Sequence, residues 1–78
     1  MMELKFPDLG NGISEGQVIK WLAKEGEVVQ KSQNVLYVET FKTMIEIPAT
    51  STGKIRQQKC KIGDMVKAGD VIAVIDAD

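Results

Sequence analysis

The feature that most constrains this chain is that it is written twice. The stretch Gly16-Gln17-Val18-Ile19-Lys20 through Glu25-Gly26-Glu27-Val28-Val29 has a counterpart in Gly53-Lys54-Ile55-Arg56-Gln57 through Ile62-Gly63-Asp64-Met65-Val66, at a constant offset of 37 residues. The same offset carries Ala23 to Cys60, Val35 to Ile72, Val38 to Ile75 and Glu39 to Asp76 without a gap. An internal repeat of this kind predicts two quasi-equivalent halves, with residues 16–38 superposing on residues 53–75. A chain of 78 residues has enough apolar content for one core and no room for a second domain.

Each half reads as short β-strands separated by turns, with no stretch of the 3.6-residue periodicity that marks an amphipathic helix. Leu4 and Phe6 alternate with Glu3 and Lys5, Val18 and Lys20 oppose Ile19 and Trp21, Ile45 and Ile47 flank Glu46, and Val71 to Ile75 is a β-rich run. Asn11-Gly12, Glu25-Gly26, Ile62-Gly63 and Ala68-Gly69 supply the backbone freedom that tight reversals require. The expected fold is all-β: a flattened eight-stranded barrel or sandwich of two four-stranded antiparallel sheets with pseudo-twofold symmetry, each half contributing to both sheets. In that arrangement the hairpin joining the halves, near residues 40–43, lies opposite the edge where the two chain ends meet, and function is most economically sought there.

Composition narrows the chemistry. Histidine is absent and Cys60 is the sole cysteine, which removes the commonest general base, an internal disulfide and a cysteine-held zinc or iron–sulfur site. Ten basic and eleven acidic residues are scattered along the chain, so no footprint for nucleic acid or an anionic membrane is expected. No apolar run approaches a membrane span and no signal-peptide pattern opens the chain, which reads as soluble and intracellular. Gly10, Gly12 and Gly16 lack the spacing of a phosphate loop and serve turn geometry instead. Glu39 and Glu46 flank a protruding hairpin, where solvated strand residues are expected in place of a catalytic pair. Trp21 is expected to cover the edge of the core, and Cys60, matching Ala23, to be a small buried residue.

The join reads Val38-Glu39-Thr40-Phe41-Lys42-Thr43-Met44-Ile45-Glu46-Ile47-Pro48, two apolar-rich strands around a polar turn with one lysine. It resembles the acceptor hairpin of the lipoyl domain family, which typically reads Glu-Thr-Asp-Lys-Ala before a Val-Glu-Ile-Pro-like strand. Phe6-Pro7-Asp8-Leu9-Gly10-Asn11-Gly12-Ile13-Ser14-Glu15-Gly16 resembles the family's opening strand and loop, and Ile19-Lys20-Trp21 with Lys24-Glu25-Gly26 continues the agreement. The resemblance covers essentially the whole chain. It implies a non-catalytic carrier whose Lys42 forms an amide with lipoic acid, with Glu39, Thr40, Phe41, Thr43 and the loop residues Asn11, Gly12 and Ile13 available for recognition.

The implied partners are a lipoate ligase or lipoyltransferase, a thiamine-dependent 2-oxo acid decarboxylase that reductively acylates the dithiolane, an acyltransferase catalytic domain that passes the acyl group to coenzyme A, and dihydrolipoyl dehydrogenase, the flavoprotein that reoxidises the dithiol. The implied setting is the cytoplasm of a bacterium or archaeon, or the mitochondrial matrix, with the chain cut from a longer acyltransferase component. Phe41 and Thr43 depart from the family's usual Asp and Ala. An aromatic ring where an acidic residue is usual bears on partner recognition and leaves the attachment amine intact. The alternatives are a biotin carrier domain, whose lysine is normally bracketed by methionines, and an unmodified structural or regulatory module. A small independent enzyme is the least favoured reading, with no histidine and no nucleophile constellation.

Overall fold

The computed structural model describes residues 1–10 and 12–77. All regular structure among them is β: β1 (Met2–Lys5), β2 (Glu15–Trp21), β3 (Val28–Val29), β4 (Asn34–Glu39), β5 (Met44–Pro48), β6 (Gly53–Gln58), β7 (Met65–Lys67) and β8 (Val71–Ala77). They form two four-stranded antiparallel sheets, ordered β1-β8-β6-β3 and β5-β4-β2-β7, so each half gives two strands to each sheet. Leu4, Phe6, Val18, Val29, Val35, Leu36, Val38, Ile47, Ile55, Val66, Ile72 and Ile75 fill the space between the sheets. The expected flattened two-sheet sandwich is the observed one.

The twofold relation extends to individual hydrogen bonds. Val18 faces Val38 across β2 and β4, and Ile55 faces Ile75 across β6 and β8. Gly16 faces Val66 and its mate Gly53 faces Val29. The amide of Gly26 donates to the Ile55 carbonyl at 2.7 Å, and that of Gly63 donates to the Val18 carbonyl at 2.7 Å. Even where side-chain type differs, the bond is kept: the Trp21 indole donates to the Cys60 carbonyl at 3.1 Å, and the Gln58 amide donates to the Ala23 carbonyl at 3.0 Å. Trp21 packs against the core from its edge, as its position in the sequence suggests.

Strict alternation fails at two pairs of mates, Val35 with Ile72 in the ladders to the edge strands and Ile19 with Arg56 in the central ones. The ladder shifts between Val18 and Lys20 and again between Ile55 and Gln57, so Ile19 and Arg56 are bulged residues. Lys20, expected on the same face as Val18, is exposed while Val18 is fully buried. The extra residue reverses the facing of everything beyond it in the strand.

Backbone geometry separates the halves at another pair. Ser32 and Gly69 occupy equivalent turns, with φ of 75° and 91°. An L-residue in this left-handed region is strained by its Cβ, at a cost on the order of 1 kcal/mol, partly offset by the smaller flexibility of Ser in the unfolded chain. Ser32→Gly is therefore expected to raise stability by about 0.5 kcal/mol, read as a higher urea midpoint at unchanged slope; an unchanged or lower midpoint would contradict the assignment of strain.

Cys60 is buried, its Sγ directed at the Ile72 carbonyl at 4.0 Å. Burial, with a smaller contribution from the Asp64 carboxylate, raises its thiol from the ordinary 9.0 to about 11. The thiolate is the reactive form, so labelling by a thiol reagent near pH 8 should be far slower in the folded protein than in denaturant. Because the unfolded thiol ionises near 9.0 and the folded one near 11, this group also makes stability fall as pH rises through that interval.

Candidate functional site

The sheet order places the β4–β5 hairpin as the symmetry mate of the β8–β1 pair, in which Ile75 faces Met2 as Val38 faces Ile45. At one end of the molecule the chain crosses from β4 to β5 through Thr40-Phe41-Lys42-Thr43. At the other, β8 and β1 are the two ends of the described chain. The turn is thus the sole direct link between halves and has no framework counterpart.

Its shape comes from Thr40. Tight two-residue hairpin loops usually need positive φ, yet Ser32 is the only described non-glycine residue with that conformation. Here a hydroxyl closes the turn. The Thr40 amide donates to the Thr43 carbonyl at 2.8 Å, and the Thr40 hydroxyl donates to the same carbonyl at 2.8 Å. That hydroxyl also accepts from the amides of Thr43 at 3.1 Å and Lys42 at 3.3 Å. The resemblance places Thr40 among the recognition residues; at 7% exposure it is the one buried polar residue among those described, and its hydroxyl is consumed inside the turn. Its contribution is to hold the loop's shape, because local side-chain bonds replace the backbone pairing that a tight turn leaves unmade.

Above this clasp the neighbouring side chains point to solvent. Glu39, Phe41, Lys42 and Thr43 are exposed, Phe41 by 73%. The Lys42 Nζ lies 5.7 Å from the centre of the Phe41 ring, a cation–π contact of about 0.5–1 kcal/mol at an exposed site. The only ion pair among the described residues, Arg56 with Asp76, is elsewhere, so no carboxylate neutralises the Lys42 ammonium. An exposed primary amine at the apex of a shaped turn, free of a carboxylate partner, suits it to acylation by an enzyme that grips the hairpin.

The loop before β2 approaches the same end. Gln17 of β2 faces Glu39 of β4, so Glu15 and the residues before it enter the sheet beside the hairpin. Leu9 anchors the loop on the core, the Gly10 amide is bonded to the Asp8 carboxylate at 3.0 Å, and the Ile13 amide donates to the Gly10 carbonyl at 2.9 Å. Gly12 is exposed and Ile13 half-buried, whereas Asn11 lies outside the described residues. Glu46, paired across the strands with Tyr37, is exposed on the outer sheet face, away from any enclosed cleft. No group of three or more metal-ligating side chains occurs among the described residues.

A biotin/lipoyl family model, described as "Biotin-requiring enzyme", matches residues 2–75. The chain is 43% identical over 76 residues to the dihydrolipoyllysine-residue acetyltransferase component of the pyruvate dehydrogenase complex of Mycoplasma capricolum, covering 97% of this chain and 17% of that protein. It is 35% identical over 75 residues to the corresponding Staphylococcus aureus component, covering 96% and 17%. The chain therefore spans about a sixth of the length of these relatives. Among solved structures, the lipoyl domain of the 2-oxoglutarate dehydrogenase complex from Azotobacter vinelandii aligns with a TM-score of 0.75 at 28% identity, covering 97% of this chain and 96% of that one. Urea carboxylase of Kluyveromyces lactis aligns with a TM-score of 0.74 at 33% identity, over 97% of this chain and 7% of that one.

The Thr40 clasp predicts the effect of removing one oxygen. Thr40→Val keeps the shape of the side chain but deletes the hydroxyl, and should cost about 1–2 kcal/mol, lowering Tm by several degrees. Hydrogen exchange should accelerate most at the Lys42 and Thr43 amides, and in the core strands only by the factor that the loss of global stability sets. Unaltered protection at both amides would contradict the role assigned to Thr40.

Proposed function

Because the chain belongs to the biotin/lipoyl attachment family and is a lipoyl-type carrier domain, we propose that Lys42 is the residue that carries lipoic acid, in amide linkage to Nζ. The supporting observation is the position of this amine: exposed, without a carboxylate partner among the described residues, and on the turn that joins the two halves. Lys20, Lys24, Lys54 and Lys61 belong to the repeated framework, where a ligase reading the hairpin would not meet them. When bound, the dithiolane supplies acyl-carrying and redox chemistry. The protein's own contribution is presentation: Thr40 holds the turn, the strands behind it are paired, and the lysine stem extends from a rigid base.

The full-length relatives lead to the wider reading. The chain acts as the carrier segment of a longer acyltransferase component, moving acyl groups between a thiamine-dependent 2-oxo acid decarboxylase, the acyltransferase catalytic domain and dihydrolipoyl dehydrogenase. Tethering makes these successive encounters intramolecular, and raises their frequency through effective concentration. The bacterial origin of these acetyltransferase relatives favours a cytoplasmic complex. No helix among the described residues is long and apolar enough to cross a membrane.

The likeness to urea carboxylase supports a second reading, attachment of biotin to the same lysine. The hairpin argues against it, since Lys42 is flanked by Phe41 and Thr43, and Met44 stands one position too far on. Phe41 and Thr43, with Glu39 and the loop residues Asn11, Gly12 and Ile13, are the residues we assign to partner recognition. Surface complementarity near the arm governs encounter more than it governs amide formation.

Intact mass after incubation with a lipoate ligase, and separately with a biotin ligase, tests the assignment. One lipoyl group is expected on the native chain, none on Lys42→Ala, and no biotin on either. Lys42→Ala should unfold within about 0.5 kcal/mol of the native protein, as expected for an exposed turn residue. Lipoylation of Lys42→Ala would end the hypothesis. Phe41→Asp should be lipoylated normally but reductively acylated at a different rate by a given decarboxylase; equal rates across several decarboxylases would remove Phe41 from the recognition surface.

A further inference from the structure

In a molecule whose backbone bonds recur in twofold pairs, a surface feature present on one sheet and absent from its mate marks something the fold itself does not require. The outer face of β2, β4 and β5 carries a shallow open groove of about 260 Å3 lined by Lys20, Leu22, Tyr37 and Glu46. Lys20, Tyr37 and Glu46 form one cross-strand row, with the half-buried Tyr37 between the two charges. The mates of Lys20, Leu22 and Tyr37 on the other sheet are Gln57, Lys59 and Val74. The apolar leucine and the aromatic ring thus occur only on the sheet that carries the Lys42 hairpin.

Building on the reading of Lys42 as the attachment site, we propose that this groove is a resting site for the dithiolane ring of the arm on the same chain. Reach supports this occupant. Glu46 lies four residues beyond Lys42 along β5, roughly 13 Å at the strand rise of about 3.3 Å. The lysine stem and the lipoyl chain together extend about as far, roughly 13 Å for some ten bonds. Met44, partly exposed on the same outer face as Glu46, lies beneath the path.

The chemistry of the floor suits a small neutral sulfur heterocycle. Leu22 gives apolar contact, and the Tyr37 ring provides a face or edge for sulfur. Lys20 and Glu46 are separated by two strand spacings, roughly 9–10 Å, and form no ion pair over the tyrosine. They flank the ring without covering it. The groove is smaller than the pockets that enclose whole drug-sized ligands, so it fits the ring alone, with the chain of the arm lying outside it. A tether supplies a millimolar effective concentration, so even a millimolar intrinsic affinity leaves docked and free arms comparably populated. Such a ring is withheld from bulk thiols and released to a partner site at little cost.

The test is nuclear magnetic resonance on the labelled chain carrying lipoate, compared with the unmodified chain and with one carrying an octanoyl group, which has no ring. Through-space contacts between the ring protons and Tyr37 and Leu22 are expected in the lipoylated chain only. Leu22→Lys, which installs the mate's residue at an exposed position, should abolish them and make reduction of the arm by a small thiol about twofold faster, as the docked half of the population is freed. A chain shown by mass to be fully lipoylated at Lys42, yet giving no such contacts, would overturn the groove and leave the attachment site standing. A chain that takes no lipoate at Lys42 would overturn both. Contacts at Tyr37 and Leu22 that arise only on adding a partner enzyme would assign the groove to that partner instead.

Discussion

Each half of this molecule is completed by a turn from the other. Val18 donates its amide to Asp64 and accepts at its carbonyl from Gly63, while Ile55 donates to Glu27 and accepts from Gly26. These four bonds lie at the centres of β2 and β6, where both ladders bulge and where Val18 and Ile55 enter the core. A central strand whose amide and carbonyl are satisfied only by the opposite half leaves buried polar groups unmet if either half folds alone. The reciprocal clasp therefore makes the 78 residues one cooperative unit, and a small core is enough because the backbone accounting closes across it.

Close approach reinforces the clasp. Gly16 and Gly53 stand at equivalent positions in β2 and β6; a side chain at Gly16 would meet Val38, and one at Gly53 would meet the backbone of Asp76 and Ala77. The strand ends beside the hairpin and beside the opposite edge are drawn together by these absences. From that base the hairpin projects with its ladder paired through Glu39 and Met44 and its apex held by the Thr40 hydroxyl. A rigid pedestal under one exposed amine is what the symmetric framework and the asymmetric turn produce together. Presentation is a mechanical task, and it requires no catalytic cluster.

Much of this was legible in the residues. The offset between Gly16 and Gly53 already contained the topology, since a repeat of strand-forming segments with matching turns has few ways to bury both apolar faces. It also singled out Lys42, the lysine of the unrepeated join. The bulges at Ile19 and Arg56 were not legible, because alternation cannot report an inserted residue when the bulged side chain is compatible with either face. The burial of Thr40 was hidden for a related reason: a threonine in a polar turn gives no sign of whether its hydroxyl meets water or the backbone. Its pairing with Thr43, three residues on, was the available clue, since side chains of this kind close turns locally. The groove over Tyr37 lay beyond the sequence altogether, because it depends on which residues the bulge turns outward.

The central claim is that geometry, and not the mere presence of a lysine in a polar turn, selects the amine. It is tested most directly by exchanging two neighbours, Phe41→Lys combined with Lys42→Phe, and weighing the product after exhaustive treatment with lipoate ligase. Composition, net charge and turn length are unchanged, and only the position of the amine on the Thr40 clasp moves. The expected product is a folded protein that remains unmodified. Complete lipoylation of the exchanged protein, at the rate of the native one, would contradict it.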